Sequence, residues 1–296
     1  MKYAFWTGCV AKQGAPELYQ STVASLGVLG IEVEELVGGA CTGAGVLTER
    51  NPRLADALNA RTFAMAEQMG LPIMTICSTC TGTMYASHER LKDEAYRAEI
   101  NEILAPEGLQ YNGTTEIYHL MWILVEKIGL EKLRSYVKVP LSGLNVAPFY
   151  GCYILRPSRL MDPQHHDRDT YLEQIIVALG ANAVDYSGAT KCCGFPLTTM
   201  NRISALKMTG THIAEAKDKG ADLLVTPCPL CHLNLDGQQV DAAKVMGRSL
   251  DVPILHLPQL LGIAFGLDAK DLGLHRNLIS PRRIFERARR MAVTSS

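Results

Sequence analysis

Pro72-Ile73-Met74-Thr75-Ile76-Cys77-Ser78-Thr79-Cys80 is an apolar run ending in two cysteines, and Leu223-Leu224-Val225-Thr226-Pro227-Cys228-Pro229-Leu230-Cys231 repeats it. A short apolar run of this kind reads as a buried strand, here delivering a Cys-X2-Cys pair to the head of a helix. Cys77 and Cys228 stand 151 positions apart, as do Cys80 and Cys231, and Cys41 and Cys192. The chain is an internal duplication, and the thiols are what the duplication kept. The first copy holds Cys9, Cys41, Cys77 and Cys80; the second holds Cys152, Cys192, Cys193, Cys228 and Cys231. Cys193 has Thr42 as its counterpart, so the sets differ by one thiol.

Working outward, strands alternate with helices in both copies. In the first, strands are expected at Lys2–Trp6, Glu32–Leu36, Pro72–Ile76 and Glu116–Tyr118. Helices are expected at Pro16–Leu29, from Pro52 to Met69, through Leu91 to Leu104, and at Leu120–Ile128. Asn51 and Pro52 suit N-cap and first helical position, and Gly70 suits a C-terminal stop. The second copy replays the order with strands at Asn145–Tyr150, Ala183–Tyr186, Leu223–Thr226 and Pro253–Leu255. Its helices are expected at Thr170–Leu179, Arg202–Lys219 and Pro258–Phe265. Such alternation implies parallel sheets with crossover helices, so the expected fold is α/β. It has two pseudo-twofold-related units, each a small, mainly parallel sheet flanked by helices. The domains are then residues 1–143 and 144–280, with a basic amphipathic tail at 281–296. Cys9 and Cys152 lie only 143 positions apart, which places an insertion in the second copy at Arg156–Asp169.

Each cysteine follows a strand. In a parallel sheet the carboxyl ends of the strands share one edge, where ligands bind. Thiols distant in sequence therefore meet in space. Nine cysteines cannot all pair, and the chain reads as one of the reducing cytoplasm, so metal is favoured over disulfides. A formal charge of −1 supplies no pull toward nucleic acid. No segment is long and apolar enough to span a membrane. Four thiolates suit tetrahedral zinc or a cubane iron–sulfur cluster equally. Five, with two adjacent, exceed what closed zinc needs and point to iron–sulfur.

Cys-X31-Cys-Thr-Gly-X33-Cys-X2-Cys followed by Cys-X39-Cys-Cys-Gly-X33-Cys-X2-Cys resembles the duplicated cysteine-rich CCG domain. The pattern is similar to the B subunit of heterodisulfide reductase and its relatives, including those of sulfur-oxidising heterodisulfide-reductase-like complexes. The resemblance implies a non-cubane [4Fe–4S] cluster at Cys152, Cys192, Cys193, Cys228 and Cys231. It implies thiol/disulfide or sulfane-sulfur redox chemistry there, with Cys192 and Cys193 closest to the reaction. Because Thr42 replaces a thiol, Cys9, Cys41, Cys77 and Cys80 are expected to hold a different, four-ligand cluster, with zinc as the lesser alternative. Implied partners are cubane-cluster and flavoprotein subunits, and a thiol/disulfide or sulfur-carrier substrate. The alternative is an electron-transfer and anchoring subunit of a succinate or fumarate:quinone oxidoreductase. In that case Leu260–Phe265 and the tail at Pro281–Met291 would touch the inner face of the membrane.

His119 and His256 follow the fourth strand of each copy, and are read either as caps of the next helix or as proton donors to the sites. His232 beside Cys231, Lys191 before Cys192, and His165 and His166 in the insertion are weaker candidates.

Overall fold

The computed structural model describes residues 1–156 and 165–294. The first copy contains β1 (Lys2–Trp6), α1 (Pro16–Leu29), β2 (Glu32–Glu35), α2 (Val46–Arg50), α3 (Pro52–Met69), β3 (Ile73–Thr75), α4 (Ser78–Arg90), α5 (Glu94–Leu104) and β4 (Ile117–His119). The one-turn α6 (Leu120–Trp122), a π-helical stretch (Ile123–Ile128) and α7 (Leu130–Ser135) complete it. The second contains β5 (Asn145–Pro148), α8 (Tyr171–Ala178), β6 (Asn182–Ala183), α9 (Arg202–Asp218), β7 (Leu223–Thr226), α10 (Pro229–Gly237), α11 (Gln239–Met246), β8 (Ile254–His256) and α12 (Leu257–Ala264). The terminal helix is α13 (Arg282–Thr294).

Each copy forms a four-stranded sheet, ordered β2-β1-β3-β4 and β6-β5-β7-β8. Every pairing is parallel, with Ala4 opposite Ile73, Ile73 opposite Ile117, Val146 opposite Leu223 and Leu224 opposite Ile254. The central strands β3 and β7 are buried throughout, as strands covered by helices on both faces must be. The edge strand β2 is charged, and its Glu34 pairs with Lys2 at 2.7 Å, which blunts an open edge. In both sheets the order reverses between the first and third strands of the copy. That reversal opens a crevice at their carboxyl ends.

The two units share one apolar layer. Leu18 and Leu26 of α1 pack with Ile175 and Ile176 of α8 and with Leu260 and Leu261 of α12. Ser25 Oγ of α1 donates to the Pro258 carbonyl at 2.9 Å, fastening the first copy to the second. A second buried cluster includes Phe63 of α3 and Leu206 and Ile213 of α9. Each such buried side chain contributes about 2 kcal/mol of transfer free energy.

The caps follow the sequence. Asn51 accepts from the Leu54 amide at 3.1 Å, and Asn201 repeats the cap with Ser204 at 3.0 Å. Gly70 ends α3 with a φ of 64°. Several boundaries differ from expectation. The helix expected to run through Leu91 breaks into α4 and α5, because Asp93 accepts from the Tyr96 amide at 2.9 Å and starts a new helix. Strand β6 stops at Ala183 rather than Tyr186; beyond it the chain turns at Ser187, which donates to the Glu215 carboxylate through backbone (2.8 Å) and hydroxyl (2.9 Å). Residues 157–164 of the expected insertion lie outside the described residues.

The tail forms α13 on the body of the second copy. Ile284 and Ala288 are buried, Arg287 pairs with Asp222 at 2.9 Å, and Arg289 pairs with Asp268 at 2.8 Å. Leu260, Leu261, Ile263, Ala264 and Phe265 are buried in the core. Leu260–Phe265, expected to touch a membrane in the alternative reading, is thus used internally, a correction to that part of it. Among the described residues, no helix is long and apolar enough to cross a membrane.

Candidate metal centre

All nine cysteines are free and gather on the carboxyl edges of the two sheets. In the first copy, β1 leads into the turn that carries Cys9, where Gly8 has a φ of 72°. Cys41 follows β2. Cys77 caps α4 and accepts from the Cys80 amide at 3.4 Å. In the second copy, Cys152 follows β5 and Cys192-Cys193 follow β6, while Cys228 and Cys231 head α10. Helix N-termini offer free amides and positive potential, which favour thiolate.

The sulfurs fall into two linked groups, Cys9 with Cys41, and a series that runs from Cys80 and Cys77 through Cys228, Cys231 and Cys193 to Cys192 and Cys152. Cys9 donates to Cys41. Cys77 hydrogen-bonds with both Cys228 and Cys80. Cys231 bridges Cys228 and Cys193, and Cys192 accepts from Cys152 and Cys193. The hydrogen bond from Cys9 pulls the Cys41 thiol down to about 6, helped by the Gly43 amide, and pushes Cys9 up. Hydrogen bonds from Cys152 and Cys193 hold Cys192 far below the ordinary thiol range, whereas Cys193 is pushed up to about 12 by its bond to Cys192. Buried thiols crowded into mutual contact constitute a soft, electron-rich donor set that suits thiophilic metal.

The two sites meet through Cys77 and Cys228. Thr79 Oγ1, from the first copy, lies 3.3 Å from Cys228 Sγ in the second. Its counterpart at the same offset is Leu230, so no hydroxyl answers it from the other side.

Their surroundings differ. The first set lines a cavity of about 110 Å³ and includes two exposed thiols, Cys9 and Cys41. The second set opens onto a cavity of about 670 Å³. Val46, Glu49 and Arg50 of α2 form part of its wall, so the first copy helps enclose the second copy's site. Tyr153 and Phe195 supply aromatic surface.

The Cys192-Cys193 turn is held from behind. Asn234 Nδ2 donates to the Cys193 carbonyl at 2.7 Å and Thr209 Oγ1 donates to it at 3.2 Å. His212 Nε2 lies 3.0 Å from the Cys192 carbonyl. Amides of Gly194 and Phe195 point at the sulfurs of Cys192 and Cys193, each at 3.4 Å. Gly194 has a φ of 96°, and a Cβ there would sit 2.9 Å from the Ala205 carbonyl oxygen. Gly151 (φ 73°) is equally constrained, since a Cβ would come within 2.8 Å of Cys231 Sγ. None of these supports was legible from the cysteine spacing except the glycine of the Cys-Cys-Gly run.

Thr42 is buried in the wall of the first site, and its Oγ1 has no hydrogen-bond partner among the described residues. Its carbonyl accepts from Asn59 Nδ2 at 3.0 Å, much as Asn234 holds Cys193. The donor sets thus fit the groups expected of them: four sulfurs in a small cavity, five around a large one.

His119 and His256 are buried and line neither site cavity. His119 Nε2 donates to the Pro227 carbonyl at 3.0 Å, and Nδ1 accepts from the Met121 amide at 3.0 Å. Both nitrogens are engaged, so this ring clamps the loop before Cys228 and caps α6. Burial pushes His119 down to about 4 and His256 to about 3, so both rings are neutral. His232, expected at the helix start, is buried and stacked on His256. Lys191 is exposed, and His165 sits 3.7 Å from the Glu126 carboxylate, away from the cysteines.

The cysteine-rich domain model named CCG matches residues 3–85 and again 146–236. The chain belongs to the CCG cysteine-rich family. Within that family it is 41% identical to the 8-methylmenaquinol:fumarate reductase membrane anchor subunit of Wolinella succinogenes, over 96% of this chain and 99% of the relative. It is 31% identical to the B subunit of a ferredoxin/F(420)H(2)-dependent CoB-CoM heterodisulfide reductase of Methanosarcina acetivorans, over 94% of each chain. A protein of Archaeoglobus profundus named as like the heterodisulfide reductase B subunit is 32% identical over 90% of this chain and 92% of that one. The crystal structure of a hypothetical protein from Helicobacter pylori superposes with a TM-score of 0.75 at 19% identity, covering 94% of this chain and 52% of that one. The last likeness carries the fold alone. The two CCG matches fall on the two sheets, one on each.

Proposed function

We propose that this CCG protein is the iron–sulfur subunit of a heterodisulfide-reductase-like complex, and that its second site performs thiol/disulfide or sulfane-sulfur redox chemistry. One observation carries the reading: the five-thiol set opens onto about 670 Å³, whereas the four-thiol set lines about 110 Å³. Only the second leaves room for a substrate beside its metal.

Cys152, Cys192, Cys193, Cys228 and Cys231 would hold a non-cubane [4Fe–4S] cluster, which supplies electrons one at a time and a site for a substrate sulfur. The protein's own contribution is positional. Asn234, Thr209 and His212 fix the turn that aims Cys192 and Cys193. Amides of Gly194 and Phe195 stabilise negative charge on those sulfurs. Apolar side chains line much of the cavity, and Glu49 and Arg50 place charge among the lining residues. Splitting a disulfide consumes two electrons and two protons and yields two thiols. Cys9, Cys41, Cys77 and Cys80 would hold the different, four-ligand cluster, zinc being the lesser alternative. The exposed Cys9 and Cys41 face outward, where cubane-cluster and flavoprotein partner subunits would exchange electrons. The contact of Cys77 with Cys228 is the short link between sites. His119 acts as a positioning residue behind Cys228 rather than as a proton donor. The compartment is the reducing cytoplasm.

Cys193→Ser tests this. Iron content falls, the second site's spectrum is lost and turnover of a disulfide substrate stops, because metal binding and local structure are coupled. Retention of all three properties removes the assignment.

A second reading rests on the 41% identity to a fumarate reductase anchor subunit. There the chain passes electrons between a quinol and a succinate-type flavoprotein, and the apolar cavity receives the quinone ring. Co-purification with a flavoprotein active on fumarate favours it; a flavoprotein lacking that activity, or a sulfur-carrier partner, favours the first.

A further inference from the structure

Glu17 of α1 meets His232 of α10 and His256 at the end of β8, and none of the three lines either sulfur-site cavity. One ligand atom from each lies within 4.8 Å of the others. The three residues are 5%, 3% and 0% exposed. Glu17 Oε1 is 3.4 Å from His256 Nε2, and among the described residues no lysine or arginine pairs with this carboxylate. A positive partner stabilises a carboxylate so buried.

The His232 imidazole is held as a ligand is held. The Ile254 carbonyl, 3.0 Å from His232 Nε2, can only accept, so Nε2 carries the hydrogen and Nδ1 keeps its lone pair. That Nδ1 has no hydrogen-bond partner among the described residues. Asn277 Nδ2, 3.2 Å from the same His232 nitrogen, donates to the Ile254 carbonyl at 2.7 Å, and its Oδ1 accepts from Gln259 Nε2 at 3.0 Å. Gln259 Oε1 in turn accepts from the His256 amide at 3.0 Å. Fixing one ring nitrogen through its neighbours, and so the orientation of the ring, is the usual support of a metal-binding histidine. The rings stack at 3.7 Å with 19° between planes. Binding one ion requires the His256 ring to turn out of the stack while His232 keeps its bond to the Ile254 carbonyl, since a metal lies in the plane of each ring.

We propose that Glu17, His232 and His256 bind one divalent cation. Two imidazole nitrogens and a carboxylate oxygen suit zinc, with a borderline donor set distinct from the thiols nearby. The ion neutralises Glu17 and pins α1 of the first copy to β8 and the head of α10 in the second. The site does not depend on what the cysteines hold.

The test uses the full chain purified without oxygen and supplied with zinc chloride. Anomalous maps above and below the zinc edge should show a peak among the three side chains, with the His256 ring turned out of the stack. X-ray absorption should report nitrogen and oxygen neighbours at about 2.0 Å, without sulfur. Glu17→Gln should lose about one zinc per chain while iron content and the cluster spectrum stay unchanged. Absence of the peak in zinc-supplied crystals overturns the proposal, as does unchanged zinc content in Glu17→Gln. Should that variant fail to fold, the wild-type map decides alone. Sulfur-ligated zinc in place of iron would instead overturn the iron–sulfur reading and leave this site standing.

Discussion

At the scale of single residues, one side chain separates the two sites. Thr42 occupies the position that Cys193 fills in the second copy, and its hydroxyl is buried without a partner among the described residues. A hydroxyl is a weak iron ligand beside thiolates. Thr42→Cys should therefore add a fifth thiol to the first set. The expected outcome is a first-site electron paramagnetic resonance signal that moves toward that of the second site. An unaltered signal would mean that the missing thiol is not what differentiates the copies. Thr79 adds another asymmetry, since it contacts Cys228 across the boundary and Leu230 returns no such contact. This pairing follows from two helix heads facing each other and could not be read from spacing.

At the scale of elements, the turn after Ser187 decides whether the second site forms. Cys192 and Cys193 sit on no regular element; their geometry depends on Gly194 and on contacts from α9 and α10. Gly194→Ala places a Cβ against the Ala205 backbone at a φ of 96°. Since α9 cannot easily yield there, the variant should lose iron from the second site while retaining most of its helical signal by circular dichroism. Full iron loading in Gly194→Ala would show that the turn is softer than its packing implies. The helix break at Asp93 teaches the converse lesson. A capping carboxylate starts a second helix inside the stretch expected to be one, because a satisfied N-cap contributes about 1 kcal/mol locally.

At the scale of the whole molecule, the units are joined along α1, α8 and α12 as well as through the sulfurs. The tail belongs to this frame. It covers apolar surface with Ile284 and Ala288 and ties down with Arg287 and Arg289. Truncation after Pro281 should lower the melting temperature by several degrees, in proportion to about 1–2 kcal/mol of lost packing, measured by thermal unfolding. Both half-exposed ion pairs add little to that figure, because water screens them. If truncation leaves the melting temperature unchanged but shifts the protein between membrane and soluble fractions, the tail's role is attachment, not packing.

The duplication, the parallel sheets and the placing of thiols at strand ends were legible in the sequence itself. Cysteines placed after strands must converge when those strands are parallel neighbours, and the 151-residue offset repeats the arrangement. Tertiary structure alone decided that the two sulfur sets touch, that one faces a large cavity and the other a small one, and that two histidines meet a glutamate. Each of these depends on how one unit packs on the other. Residues hundreds of positions apart, such as Glu17 and His256, leave no periodic signal to announce their contact.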